Sequence, residues 1–206
     1  MNKTGIEWCD YTWNPITGCS RVSDGCANCY AEAISKRFHM PWGRAYFHPE
    51  RLSQPASVKK PSRVFVCSMS DIGHESVKRE WLYYIYDAMR SAPQHQYILL
   101  TKRPNNLEYA LIPKYSWVGV TVENQAAAWK WAWLSARWNG LGFVSVEPML
   151  GPVSFDKFPN KPDWVIAGPE TGSKARPFVH RWIENLSLES ECFFDKRHDY
   201  LRREFP

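Results

Sequence analysis

Along the chain, short apolar runs alternate with stretches of helical period. The runs are RVFVCSMS (63–70), QYILLT (96–101), WVGVTV (117–122), GFVSVE (142–147), DWVIAG (163–168) and CFFD (192–195), with YTWNPIT (11–17) ahead of them. They are β-branched or aromatic in character, and several are apolar on successive residues, as strands covered on both faces are. Between them, residues 77–92 place Trp81, Ile85, Ala88 and Met89 on one helical face, and residues 125–138 do the same with Trp129, Ala132, Trp133 and Ala136. A further helix after residue 29 carries Tyr30, Ile34 and Phe38 on its apolar face. This alternation predicts repeated βα units and mainly parallel strands. A full eight-fold barrel takes about 250 residues, and the chain has 206. The expectation is therefore an α/β fold of six or so strands over a single domain, 1–206: a partial (β/α)6 TIM-like barrel, or an open doubly wound sheet.

Composition supports a packed core. With 44% hydrophobic and 15% aromatic residues, disorder, collagen and coiled coil are excluded. The opening MNKTGIEWCDYTW has no apolar signal-peptide core, and no run reaches the length of a membrane span. The expected setting is the cytoplasm, without a membrane partner. A net charge of +5 permits a polyanionic partner without requiring one. One segment is too long for a simple connection: residues 39–62 hold four prolines, the cations Arg44, Arg51, Lys59 and Lys60, and the rings Trp42, Tyr46 and Phe47. Loops of this length are commonly functional. It reads either as a Pro-rich excursion along the barrel wall or as a lid whose cations hold phosphates and whose rings stack on bases.

Six cysteines in a cytoplasmic chain do not suggest disulfides, and four of them fall in the first 29 residues. Cys19, Cys26 and Cys29 form Cys-x6-Cys-x2-Cys in a loop, 19–29, between a strand and a helix. Three thiolates so placed can hold a [4Fe–4S] cluster by three irons, leaving the fourth open. A structural zinc using Cys9 as fourth ligand is the competing reading. Zinc ribbons pair two short Cys-x2-Cys knuckles and only one is present, which favours the cluster. Cys67 and Cys192 lie in apolar runs and read as buried thiols.

The strings IEWCDYTWNPITGCSRVSDGCANCYAE, FVCSMSDIGHE, LTKRPNNL, VGVTVEN, SVEPMLGP, WVIAGPETGSKARP and FFDK resemble, in this order, a phage-associated family of small proteins related to radical S-adenosylmethionine (SAM) enzymes. The resemblance implies a radical-SAM-type barrel, a [4Fe–4S] cluster on Cys19, Cys26 and Cys29, SAM as cosubstrate and a flavodoxin-like electron donor. There are departures. Most radical SAM enzymes space Cys-x3-Cys-x2-Cys with an aromatic residue before the last cysteine, where this chain has a six-residue gap and Asn28. Cys67 stands where the resemblance leads one to expect Asn, GPET (168–171) replaces GGES, and DKRHDYLRREFP replaces a KQWG ending.

Parallel barrels carry their sites at the C-terminal strand ends, which here deliver polar groups repeatedly. Ser68, Ser70 and Asp71 follow one strand, Thr101, Lys102 and Arg103 the next, then Thr121, Glu123 and Asn124. Ser145 and Glu147, Glu170 and Thr171, and Asp195, Lys196 and Arg197 complete the series. The resemblance assigns Ser68, Ser70 and Asp71 to the amino group of SAM, and Lys102, or failing it Arg103, to its carboxylate. Glu123 and Ser145 complete the cofactor set, and Glu147 joins Glu123 as a candidate for ribose hydroxyls or a substrate amine. Catalytic candidates are Glu123, Glu147 and Cys67. Substrate contacts are expected from Arg44, Arg51, Lys59, Lys60, Glu147, Glu170, Arg176 and Lys196, with Arg197, Arg202 and Arg203 extending the basic tail. His74 reads as a loop residue, and Glu32 and Arg37 as helix-surface charges. The expected reaction is isomerisation of a modified thymidine in phage DNA inside an infected bacterium, moving an amino-acid substituent from nitrogen to carbon. The base would have to be extruded from a duplex. Alternatives are a DNA lesion lyase resembling spore photoproduct lyase and a zinc-containing nucleic-acid-binding protein without catalysis.

Overall fold

The computed structural model describes residues 1–195 and 203–206. Lys196, Arg197 and Arg202 lie outside the described residues. In chain order the elements are β1 (Asn2–Lys3), β2 (Tyr11–Trp13), β3 (Ile16–Thr17), α1 (Tyr30–Arg37), β4 (Tyr46–Phe47), α2 (Gln54–Ser57), β5 (Arg63–Val66), α3 (Arg79–Arg90), β6 (Gln96–Thr101), β7 (Trp117–Thr121), α4 (Trp129–Ser135), β8 (Gly142–Val146), β9 (Trp164–Ala167), α5 (His180–Glu189) and β10 (Phe193–Asp195). One sheet has the order β1-β2-β5-β6-β7-β8-β9-β10, and a separate ribbon joins β3 to β4. Every neighbouring pair in the large sheet is parallel except β1–β2. The chain is a mixed α/β fold with a mostly parallel sheet, and no helix among the described residues is long and apolar enough to cross a membrane.

One element is added and one bound is corrected. The six runs and the strand ahead of them supply the seven parallel strands, and an antiparallel edge strand, β1, joins them that is too short to show a period. The run 63–70 stops at Val66 because Cys67 turns the chain at φ 62°, in the left-handed region where Asn is far more at home than Cys. That conformation gives the Asn expected at this position a backbone meaning.

Along each strand alternate residues face opposite sides. Val64 and Val66, Leu99, Val118 and Val120, Val144 and Val146, and Val165 pack outward with Ile85, Met89, Leu134 and Ile183 of the helices. Phe65, Ile98, Phe143, Trp164, Ile166 and Phe194 face inward and form a second apolar cluster around Trp8. Gly119 clears the way for Phe143, whose ring would stand 2.5 Å from a Cβ there. The Trp8 ring is 4.8 Å from that of Phe65 on β5 and 6.5 Å from that of Trp164 on β9. Those strands are four ladder steps apart, about 19 Å on a flat sheet, so the sheet curls strongly around the indole.

The helices correct three face assignments. On α3, Ile85 and Met89 are buried as expected, but Leu82 and Tyr86 join them while Trp81 and Ala88 are half-buried. On α4 the buried residues are Lys130, Trp131 and Leu134, with Trp129 outside. Tryptophans at 129, 131, 133 and 138 surround this short helix, so the period could be fitted in two phases. On α1 the small Ala31 and Ser35 face inward together with Glu32, and Tyr30, Ile34 and Phe38 face water. Glu32 is no surface charge: it is buried between Arg21 (2.8 Å) and Lys36 (2.7 Å).

Candidate functional site

At the C-terminal ends of the strands lies a cavity of about 400 Å³. Cys19, Cys26 and Cys29 line it together with Ser68, Ser70, Asp71, Lys102, Ser145, Glu147 and Glu170. Its apolar wall is made by Ile6, Trp8, Phe65 and Leu100.

The 19–29 loop is held from several directions. Gly18, at φ 81°, passes so close to β4's approach that a Cβ would stand 2.2 Å from the Arg44 carbonyl oxygen. The Ser70 hydroxyl donates to the Gly18 carbonyl at 2.6 Å. Arg103, only 4% exposed, donates to Asp71 Oδ2 (3.1 Å), Glu75 Oε1 (2.7 Å) and the Ser20 carbonyl (3.0 Å), and its Nη1 lies 3.8 Å from Cys19 Sγ. His74 supports the same corner. Its Nδ1 accepts from the Ser76 amide, which leaves Nε2–H to donate to Ser20 Oγ at 2.9 Å. Burial and the neighbouring Arg103 lower its pKa.

Beneath the loop, Glu123 accepts from Ser23 Oγ and pairs with Lys130 Nζ at 2.9 Å. Ser23 Oγ lies 3.8 Å from Cys26 Sγ. A Cβ on Gly25 would stand 2.6 Å from Glu123 Cγ. Burial alone would raise the Glu123 carboxyl, but Lys102, Lys130 and the Ser23 hydroxyl outweigh it and hold it below the ordinary carboxylate range. From the far side, Asn28 donates to the Lys174 carbonyl (3.0 Å), and Arg176 donates to the Asp24 carbonyl (2.9 Å) while gripping Glu170 through both carboxylate oxygens.

These contacts divide the expected site residues. Asp71 accepts from the Gly73 amide, the Thr101 hydroxyl, the Lys102 amide and Arg103, so it organises the loops more than it offers a free acceptor. Ser68 exchanges hydrogen bonds with Asn14, and its carbonyl accepts from Tyr30 OH at 2.6 Å. Lys102 presents its side chain to the cavity, Nζ 4.0 Å from Glu123 Oε1. Ser145 Oγ donates to Glu147 Oε2 at 3.3 Å. Glu123 lies outside the cavity lining, behind the loop. Cys67 also lies outside it, and burial pushes its thiol up to about 12.

The expected basic lid is placed elsewhere. Only Trp42 of residues 39–62 lines the cavity. Arg44 lies over the Tyr46 ring, Phe47 stacks on Trp81, and Arg51 donates to the Asn14 carbonyl. Lys59 bonds the Ala56 carbonyl, and it and Lys60 precede β5 at its N-terminal end, opposite the cavity. The segment is therefore mostly wall. Arg203 pairs with Glu7. Sequence reasoning did not find Lys130, hidden by the misphased α4, or Asn14, Trp8 and Glu75.

The Glu170–Arg176 grip has a pH signature. Arg176's hydrogen bonds, against a smaller opposing effect of burial, lower the Glu170 carboxyl to about 2. A depressed acid contributes fully above its ordinary pKa near 4.5 and loses its contribution as pH falls through about 2. Amide exchange of residues 170–176, corrected for intrinsic rates, is expected to stay nearly as slow at pH 5.5 as at pH 7 and to quicken progressively as pH falls below 4.5. Arg176→Met should accelerate it about tenfold, the scale of a charged hydrogen bond. Unchanged protection in that variant would show that the pair does not hold the loop.

None of the cysteines is in a disulfide. Burial, with Asp71 adding and Arg103 opposing, pushes the Cys19 thiol up to about 11. Among the described residues no three Cys, His, Asp or Glu side chains are gathered closely enough to hold one metal ion. Cys9, the fourth ligand of the zinc reading, packs in the inner apolar cluster instead of lining the cavity. Three thiols opening on a common space suit a polynuclear group, whose ligands bind different metal atoms, better than a tetrahedral zinc.

No curated protein matches the chain. Among solved structures it is similar to spore photoproduct lyase complexed with dinucleoside spore photoproduct, with a TM-score of 0.56 and 13% identity. The likeness covers 81% of this chain and 57% of that one, so this chain matches little more than half the length of the lyase. At that identity the likeness concerns the fold, the mixed α/β architecture with its mostly parallel sheet. By a match over residues 3–198, the chain belongs to the family described as protein of unknown function (DUF5131).

Proposed function

We propose that this chain is a radical SAM enzyme that acts on a base of a nucleic acid, with a [4Fe–4S] cluster on Cys19, Cys26 and Cys29. The observation that carries this reading is the convergence of those three thiols on one cavity with Lys102, Ser145 and Glu147. When bound, such a cluster supplies the electron that cleaves the carbon–sulfur bond of SAM and so starts hydrogen abstraction from the substrate. The chain's own residues bind and orient. Lys102 supplies the cation for the SAM carboxylate, and Glu147, oriented by Ser145, accepts from ribose hydroxyls or a substrate amine. Arg103, Glu123 and Arg176 fix the loop that carries the thiols. Ile6, Trp8, Phe65 and Leu100 exclude water from the reacting centre.

Within this class the substrate we favour is a modified thymidine in phage DNA, isomerised from an N-linked to a C-linked amino-acid substituent, with a flavodoxin-like protein as reductant in the host cytoplasm. Splitting of a DNA lesion is the second reading, favoured by the dinucleoside held by the structural neighbour. The test is anaerobic reconstitution. The expected product is a brown protein containing iron and sulfide that, after dithionite reduction, converts SAM to 5′-deoxyadenosine. A colourless protein with one zinc per chain would overturn the proposal. Added thymidine-modified phage DNA or a dinucleoside lesion, followed by nucleoside mass analysis, separates the two substrates.

A further inference from the structure

Helix α1 turns its rings to the water. Tyr30, Ile34 and Phe38 recur four residues apart and are 48%, 37% and 63% exposed. Arg37 shares this face, with its guanidinium 5.5 Å from the Phe38 ring centroid. The stripe starts at the cavity, because Tyr30 lines it, and Trp42, beyond the end of the helix, lines it as well. Tyr30 is fixed in place by its hydroxyl, which donates to the Ser68 carbonyl. Arg37 is exposed on the stripe, and Arg44 is exposed two residues beyond Trp42, while Arg21 and Lys36 turn with their partner Glu32 to the other side of the helix.

We propose that this face is a platform for a single-stranded nucleic-acid segment leading into the cavity; the proposal rests on the nucleic-acid reading above. Rings interleaved with cations are what a flexible polyanion with stackable bases requires. A second copy of the chain would set these cations against their own kind. Duplex DNA keeps its base faces covered and cannot stack on the rings. From Tyr30 to Phe38 the helix rises about 12 Å, room for about three nucleotides at stacked spacing.

The experiment measures binding to the protein as isolated, by fluorescence anisotropy. The probes are oligothymidylate of about twelve nucleotides, the matching duplex and an acidic flavodoxin-type protein. Single strand is expected to bind more tightly than duplex. Phe38→Ala should weaken single-strand binding about tenfold, and Arg37→Ala should lower the salt slope by about one phosphate contact. Both variants should melt with the wild type. Oligothymidylate binding that is absent, or unchanged in Phe38→Ala, would overturn the platform, as would variants that weaken only flavodoxin binding. Iron uptake and SAM cleavage are scored separately. Phe38-dependent oligonucleotide binding by a protein that takes up no iron would support the platform while overturning the radical reading.

Discussion

Cys26→Ala is expected to reduce reconstituted iron to background and to abolish 5′-deoxyadenosine formation, while the melting temperature moves little. Cys26 is half-buried, on the cavity side of a loop that is restrained through its neighbours Ser23, Asp24 and Asn28. Substitutions away from the packed core usually change stability by about 0.5 kcal/mol or less. A zinc site would behave differently: structural zinc contributes folding energy outright, so the same substitution would loosen the N-terminal segment in thermal melts and hydrogen exchange. Cys9→Ala sharpens the contrast. It should retain iron and SAM cleavage at a modest stability cost, whereas a zinc site with Cys9 as a ligand would lose its metal. Iron retained by Cys26→Ala would remove this thiol from the site.

Arg103→Met should be the most destabilising single change near the cavity. The guanidinium is buried and binds Asp71, Glu75 and Ser20 together. Removing one partner of a buried pair leaves an uncompensated charge and costs about 3–5 kcal/mol. At this chain length that lowers the melting temperature by on the order of 10 °C. Arg103→Lys should rescue little, since a point charge cannot reproduce three divergent contacts. Combining Asp71→Asn with Arg103→Met should cost less than the two separate losses together, because the stranded carboxylate is then gone. A loss below about 1 kcal/mol in Arg103→Met would show that the hub is dispensable.

The parts of the fold that were legible in the sequence are those set by local pattern. QYILLT became β6 with the same bounds, 96–101, because its apolar run is covered on both faces. Spacing set Cys19, Cys26 and Cys29 in one loop but left Cys9 open as a fourth member, and only packing separates it, since the three line the cavity and Cys9 sits in the apolar cluster. What escaped was set by distant partners. Nothing near Lys130 announces Glu123, and α4, ringed by tryptophans, offers no unique face. The apolar stripe of α1 was visible as a period but not as a surface, since amphipathic pattern is blind to which side a neighbour takes. Lys59 and Lys60 looked like phosphate ligands by charge, and only the direction of β5 puts them at the opposite end of the sheet. Arg103 stood beside Lys102 as a lesser candidate, and burial gave it a different part to play.

The restraints on the 19–29 loop also fix when it can take shape. It lies near the start of the chain, yet Ser20 waits for Arg103, Ser23 for Glu123, Asn28 for the Lys174 carbonyl and Asp24 for Arg176. These contacts span up to 152 residues, among the longest separations in the molecule and therefore the slowest to close. During synthesis from the N-terminus the thiols emerge first, yet the full set of restraints on their loop waits until residue 176 has been made. A metal group arriving earlier would meet a loop that the rest of the fold does not yet hold.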